Sequence, residues 1–305
     1  MSSTQIARHL STHLSVIRNV TVIGGGSMGS GIAQVSAAAG NSVNLVDVSE
    51  DVLKKSKKSI ETGLSRVGKK LFSGDTAKIN DFVNSTVTRI NFTPDIISSV
   101  KESDLVVEAI VENLDAKQKL FKSIDKEAPE KTIFATNTSS LSCHKIAEVL
   151  SRKDRFAGLH FFNPVQVMKL VEVISISDTS KSTHDLVFEW SKTLGKVPVN
   201  CRDTPGFIVN QLLVPNLVQA ILMIERGDAT ARDVDTAMKL GAGYPMGPIE
   251  LADYVGLDVI YFILQGWQKE FPNEPRYQIP ETLKKLIEQK KLGVKTGEGF
   301  YQYKK

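Results

Sequence analysis

The chain has 305 residues, enough for two domains, and its 41% hydrophobic and 24% charged residues are ordinary for a globular protein. A net charge of +4 suits anionic ligands but is too small to argue for nucleic acid. The two cysteines, Cys143 and Cys201, lie in no CxxC or Cys/His spacing, so neither a disulfide scaffold nor a metal site is implied, and no apolar run is long enough for a membrane span.

No acidic residue appears before Asp47. Residues 1–18 are rich in Ser and Thr, carry Arg8 and Arg18, and place Ile6, Leu10, Leu14 and Ile17 on one helical face. That pattern fits a mitochondrial transit segment, with a short frayed tail as the alternative. Residues 19–24 (NVTVIG) read as a buried strand, 27–39 as a small-residue helix, and 42–47 (SVNLVD) as a second strand. A lysine-bearing helix should start near Glu50, and residues 71–85 fit no single element. Residues 104–110 (DLVVEAI) read as a strand, 114–126 as a helix, and 132–136 (TIFAT) as a strand. A helix around 141–150 then precedes a strand at 155–162 (RFAGLHFF). Residues 170–176 (LVEVISI) and 197–200 (VPVN) are the last clear strands. Strands alternating with helices predict a parallel sheet covered on both faces. Beyond Pro205 the pattern turns helical, over 207–225, 231–240, 248–268 and 281–289, so a domain boundary falls near 203–205. Residues 293–303 read as an ordered Gly-rich turn.

Gly24, Gly26 and Gly29 spell G-x-G-x-x-G between the first strand and the first helix. The second strand ends in Asp47, about twenty residues on, as the dinucleotide fingerprint requires. Gly24 permits the tight turn, Gly26 lets the backbone approach the pyrophosphate, and Gly29 lets helix and strand pack closely. Asp47 would accept from the ribose hydroxyls and repel a 2′-phosphate, which favours NAD over NADP; the bland alternative is a glycine-rich turn with a chance acid.

His160 and Glu172 are the sharpest pair. If their strands fold back about Gln166, residue 160 lies opposite 172, and a hydrogen-bonded dyad forms. In a dehydrogenase the imidazole takes the hydroxyl proton as hydride leaves, and the carboxylate orients it. The alternative is a satisfied strand histidine beside an unrelated Glu. Asn163 precedes Pro164, which is often just a turn signal. Ser139 sits between a strand and a helix, where plain N-caps are common. Asn210 lies inside a predicted helix, a poor place for Asn, which makes a polar role plausible. Lys54, Lys55, Lys57, Lys58, Lys69 and Lys70 form either a solvated face or a cationic rim for coenzyme A phosphates.

The segments VIGGGSMGSGIAQ, DLVVEAIVENL, FATNTSSL, GLHFFNPVQVMKLVEV, DTPGFIVNQLL and GAGYPMGPIELADYVGLD resemble the L-3-hydroxyacyl-CoA dehydrogenases of fatty-acid β-oxidation, over nearly the whole chain from Asn19. The resemblance implies an α/β fold: a Rossmann-like doubly wound NAD-binding domain (19–203) followed by an all-helical C-terminal domain (204–305) that makes a homodimer. It implies NAD-dependent oxidation of (S)-3-hydroxyacyl-CoA thioesters in the mitochondrial matrix. His160 is then the general base and Glu172 its partner. Ser139, Asn210 and Asn163 match substrate-site residues, and Lys70 matches a lysine that meets the coenzyme A phosphates. Glu112, Lys117 and Lys295 match cofactor contacts. Two departures stand out: Gly63 replaces a serine that touches coenzyme A, and Gln166 replaces a more usual proline, which should loosen a turn. Two other readings stay open: a related dehydrogenase acting on a free hydroxy acid or sugar acid, and a catalytically idle NAD-binding protein.

Overall fold

The computed structural model describes residues 17–304. All but the last two residues of the expected transit segment therefore lie outside the described residues. The chain divides into two units, Met1–Phe207 and Ile208–Lys305, so the division comes a few residues later than the sequence pattern placed it.

The first unit begins with β1 (Asn19–Ile23), α1 (Ser27–Ala38), β2 (Ser42–Val46), α2 (Glu50–Leu71), α3 (Thr76–Val87) and β3 (Ile90–Thr93). It continues with α4 (Ile96–Val100), β4 (Leu105–Glu108), α5 (Leu114–Ile124), β5 (Ile133–Thr136), α6 (Cys143–Ala147), β6 (Phe156–Phe161), β7 (Leu170–Ser175), α7 (Lys181–Thr193) and β8 (Val197–Arg202). One sheet carries all the strands in the order β3-β2-β1-β4-β5-β6-β7-β8. Neighbours run parallel except β6 and β7.

Alternation along the strands builds two cores. Val20 and Val22, Leu105 and Val107, and Leu159 and Phe161 pack on one face with Ile32 and Ala37 of α1, Ile60 and Leu64 of α2 and Val187 of α7. Val106, Phe134, Phe156 and Ile174 face the other way, against Phe121 of α5 and Ile146 of α6. The doubly wound sheet follows from that two-sided burial.

Helix α2 shows why the lysine-rich stretch is helical. Ser49 caps it, Glu50 and Asp51 lie in its first turn, and Lys69 and Lys70 lie in its last, each charge complementing the helix dipole. Its buried stripe is Leu53, Ile60 and Leu64. The sequence reading missed β3, α3, α4 and α7. Helix α3 buries only Ile79 and Thr86 fully, so its apolar stripe is too thin to read. The helix expected over 141–150 is only the five-residue α6.

The second unit is helical: α8 (Val209–Glu225), α9 (Ala231–Gly241), α10 (Pro248–Val255), α11 (Leu257–Glu270) and α12 (Glu281–Glu288). The single helix expected over 248–268 is two, because Gly256 adopts φ +104°, which no helix accepts. Leu217, Leu257, Leu264 and Leu283 form its main core. The tail is ordered, as read. Asp253 of α10 is fully buried and accepts from the amides of Phe300 (3.0 Å) and Tyr301 (2.9 Å) and from the Tyr303 hydroxyl (2.9 Å). Burial raises its pKa, and these donors work against the rise.

Asp253→Ala should take the acceptor from those three part-buried donors and cost about 3 kcal/mol, read as a lower urea midpoint with the tail newly open to protease.

Candidate active site

The glycine turn is built as the fingerprint requires. Gly24 has φ +111°, and a Cβ there would lie 2.3 Å from the Ala109 carbonyl oxygen. A Cβ on Gly29 would lie 1.8 Å from the Gly24 carbonyl oxygen. Gly26 faces open space, where a ligand can approach the backbone. It is also the N-cap of α1, and no side chain caps that end, so the first-turn amides remain available to an anion.

Asp47 follows β2 and is held at the same place. Its Oδ2 accepts from the Gly25 amide at 2.8 Å and its Oδ1 from the Ser49 amide at 2.9 Å. Each oxygen keeps a second lone pair for a ribose hydroxyl. These residues fit a dinucleotide: open backbone at Gly26, uncapped amides, and a fixed carboxylate.

Strands β6 and β7 pair antiparallel with His160 opposite Glu172, as their spacing predicted. Both lie on the α5/α6 face. His160 Nδ1 is 2.6 Å from Glu172 Oε2, with His160 at 5% exposure and Glu172 at 0%. With Nδ1–H given to the carboxylate, Nε2 carries the free lone pair. Phe162 and Phe207 flank the ring, with centroids at 4.4 and 5.6 Å.

A second cluster lies at the ends of β4 and β5. Glu108, fully buried, accepts from Lys117 Nζ (2.5 Å), Thr136 Oγ1 (2.6 Å) and the Ile110 amide (2.7 Å). Lys117 is 1% exposed and also reaches Glu112 at 3.2 Å. Glu112 Oε1 in turn accepts from Thr138 Oγ1 (2.5 Å) and the amides of Ser139 (2.9 Å) and Ser140 (3.2 Å). Burial disfavours the Glu112 charge, but Lys117, Thr138 and the Ser139 amide outweigh it, and its pKa is lowered. The network fixes the loop that presents Ser139. Lys117 therefore sits beneath Glu112, enclosed by carboxylates.

The structure thus gathers Gly24, Gly26, Gly29 and Asp47 at one turn, His160 beside Glu172, and Glu112 with Lys117 beside Ser139. Asn163 is exposed in the segment joining β6 to β7. Lys70 is exposed in the last turn of α2, four residues after Arg66. Lys55, Lys58, Ser59, Thr62, Gly63, Arg66 and Gln166 line an open groove of about 360 Å³. In the second unit, Asn210 lies in the first turn of α8 rather than in a helix interior, because the chain at Gly206 and Phe207 has positive φ. The general penalty for a mid-helix Asn therefore does not apply to it. Lys295 pairs with both oxygens of Asp258, at 2.5 and 2.6 Å.

Both departures from the family pattern have structural consequences. Gln166 ties its turn to α1, its Nε2 donating to Gln34 Oε1 at 3.3 Å. A Cβ on Gly63 would lie 2.5 Å from that same oxygen, so a serine there would push against Gln34. Sequence reading missed Glu108, Arg66, Thr138 and Gln34. The acid closing the apolar run of β4 was the visible signal for Glu108, since such a group must find partners when buried.

Both cysteines are held in the thiol form. Burial, then the Glu172 charge, pushes the Cys201 thiol up to about 11, and burial raises Cys143 well above the ordinary thiol value. No group of three or more His, Cys, Asp or Glu among the described residues could hold a metal ion.

Two family models cover the chain: the NAD binding domain of 3-hydroxyacyl-CoA dehydrogenase over residues 19–204, and the C-terminal domain of the same enzyme over 206–303. The chain belongs to the 3-hydroxyacyl-CoA dehydrogenase family. It is 58% identical to the mitochondrial hydroxyacyl-coenzyme A dehydrogenase of Rattus norvegicus, over 95% of this chain and 92% of that protein. It is 41% identical to a 3-hydroxybutyryl-CoA dehydrogenase of Clostridioides difficile, over 94% and 99%. The solved (S)-3-hydroxybutyryl-CoA dehydrogenase of Ralstonia eutropha superposes with a TM-score of 0.89 at 40% identity, covering 95% of this chain and all of that one. The chain is accordingly an NAD-dependent oxidoreductase with the family's fold.

Glu112→Gln should cost about 2 kcal/mol at neutral pH, because a charged acceptor shared by several donors is replaced by a neutral one. Since the folded pKa lies below the ordinary glutamate value of 4.5, that contribution is complete above 4.5 and fades as pH falls through the folded value. Urea titrations of both proteins should show the gap closing on the acid side.

Proposed function

We propose that the protein oxidises (S)-3-hydroxyacyl-CoA thioesters to 3-oxoacyl-CoA in mitochondrial fatty-acid β-oxidation, with His160 as general base and Glu172 as its orienting partner. The observation that carries this is the 2.6 Å His160–Glu172 contact, formed by an antiparallel register inside a family-matched sheet. Bound NAD+ supplies the hydride acceptor.

The residues divide the work as follows. The uncapped first turn of α1 and the open backbone at Gly26 receive the pyrophosphate. Asp47 receives the adenosine ribose and disfavours a 2′-phosphate. His160 Nε2 takes the proton from the 3-hydroxyl as the C–H hydride departs and the C–O bond becomes a carbonyl. Glu172 keeps Nδ1–H in place and stabilises the imidazolium formed. Ser139 hydrogen-bonds the reacting oxygen and Asn163 lines the same site, and Asn210 is a further substrate-binding residue, by their match to the family pattern. Glu112 orders the loop around Ser139, and the effect of Lys117 on the nicotinamide end runs through Glu112. Lys295 is a further cofactor contact by the same match. Lys70, with Lys55, Lys58 and Arg66, meets the anionic end of coenzyme A.

The names of the relatives and the acid-free, Arg-bearing residues 1–18 support a mitochondrial location, within which we propose the matrix. A homodimer is supported by the exposed apolar side chains of the helical unit, among them Leu212 (71%), Tyr254 (66%) and Phe262 (59%). Phe262→Arg should shift sedimentation from dimer to monomer; wild type sedimenting as a monomer would refute the assembly.

The first assay is NADH consumption with acetoacetyl-CoA. His160→Ala should lower kcat by roughly 10²–10⁴-fold with NADH affinity kept. Turnover unaffected by the mutation removes His160 as the base, and an inactive wild type that still binds NADH removes the CoA substrate.

A further inference from the structure

The segment 162–169 joins β6 to β7, so its two ends carry His160 and Glu172. It is held by two elements. On the α1 side, Val165 packs so closely that a Cβ on Gly31 would lie 2.7 Å from the Val165 Cβ. Beside it, Gln166 donates to Gln34 of the same helix. The segment is also held by Lys196, the residue before β8. Its Nζ donates to the carbonyl oxygens of Val165 and of Met168, the latter at 2.9 Å. The Val197 amide adds a bond to the Lys169 carbonyl at 2.8 Å.

Lys196 is 8% exposed, and burial lowers its pKa. Its hydrogen-bond acceptors are neutral backbone oxygens, not a carboxylate. A buried ammonium so placed adds little to folding compared with an apolar side chain of the same length. What it does supply is directional: two strong charge-assisted bonds that fix the path of a turn whose own backbone closes at the Pro164 carbonyl, through the Val167 and Met168 amides. Helix α1 begins at the glycine turn. The same short segment therefore ties the His160 strand to the element that receives the dinucleotide.

We propose that Lys196 is a positioning residue for hydride transfer: by holding the Val165 and Met168 carbonyls it clamps 162–169 against α1 and so sets His160 relative to the nucleotide turn. This rests on the reading of His160 as base. A near-attack geometry tolerates little displacement, and a 1 Å error costs on the order of 10²-fold in rate.

The test compares wild type, Lys196→Met, Lys196→Arg and His160→Ala in the full chain. The readouts are NADH affinity, KM for acetoacetyl-CoA, kcat, and the primary isotope effect on kcat with NADH deuterated at the transferred position. Lys196→Met should bind NADH within a few-fold of wild type, lose roughly 10- to 100-fold in kcat, and show a larger isotope effect as hydride transfer becomes slower than release. Lys196→Arg, which keeps the cation, should recover part of kcat. A folded Lys196→Met with wild-type kcat and isotope effect overturns the proposal. So does a variant in which kcat and NADH affinity fall together without recovery by Arg, which marks a structural role alone. If Lys196→Met does not fold, Gly31→Ala displaces Val165 from α1 and should give the same kinetic pattern; a folded Gly31→Ala with unchanged kcat overturns it equally. A fully active His160→Ala removes the base reading and this proposal with it. An inactive His160→Ala beside a wild-type-like Lys196→Met removes the role of Lys196 alone.

Discussion

The reversal of β7 is the constraint on which the candidate site depends. Among the described strands the pairings run parallel except between β6 and β7, and that reversal brings residue 160 opposite 172. Side chains alternate along a strand, so a slip of one residue would send either partner to the α1 face. Burial on both faces prevents the slip. Leu159 and Phe161, with Val171 and Val173, belong to one core, while Phe156 and Ile174 belong to the other. The hydrogen bond is thus a by-product of apolar patterning, since the polar pair occupies the positions that the packing leaves facing each other.

Chemistry then collects at the carboxyl ends of the strands, where open α/β sheets bind ligands. Asp47 follows β2, Glu108 closes β4, Thr136 closes β5, and His160 lies near the end of β6. Glu108, Lys117 and Glu112 connect these ends through buried hydrogen bonds that finish on the Ser139 and Ser140 amides. Burying such charges is unfavourable unless each is paired. Here pairing turns the cost into rigidity for the loop between β5 and α6.

The strong periodic segments were legible in the sequence, because Val, Ile and Leu in β1, β2, β4 and β5 mark the sheet and the glycine fingerprint marks its turn. The His160–Glu172 pairing was legible by register arithmetic across a single turn. Contacts between residues distant in the chain were not. Gln34 and Gln166 are far apart in sequence, and nothing in either segment announces that they meet or that Gly63 faces them. Nothing in the sequence sets Lys196 apart, since the carbonyls it holds belong to backbone and leave no mark on residue types. The break at Gly256 was visible as a glycine, but an interior glycine is tolerated in many helices, and only its positive φ decides the matter.

The burial of Asp253 carries a consequence for biosynthesis. Its three donors come from residues 300–303, whereas its helix begins at Pro248. Translation proceeds from the N-terminus, and domains generally fold as units in that order. The sheet-bearing unit has all of its strands once β8 has left the ribosome. The Asp253 carboxylate must stay in water until Tyr303 emerges, because only then can it be buried with all three donors. During that interval the nascent chain exposes the apolar faces of its helices beside a finished neighbour, which is the state that holdase chaperones recognise.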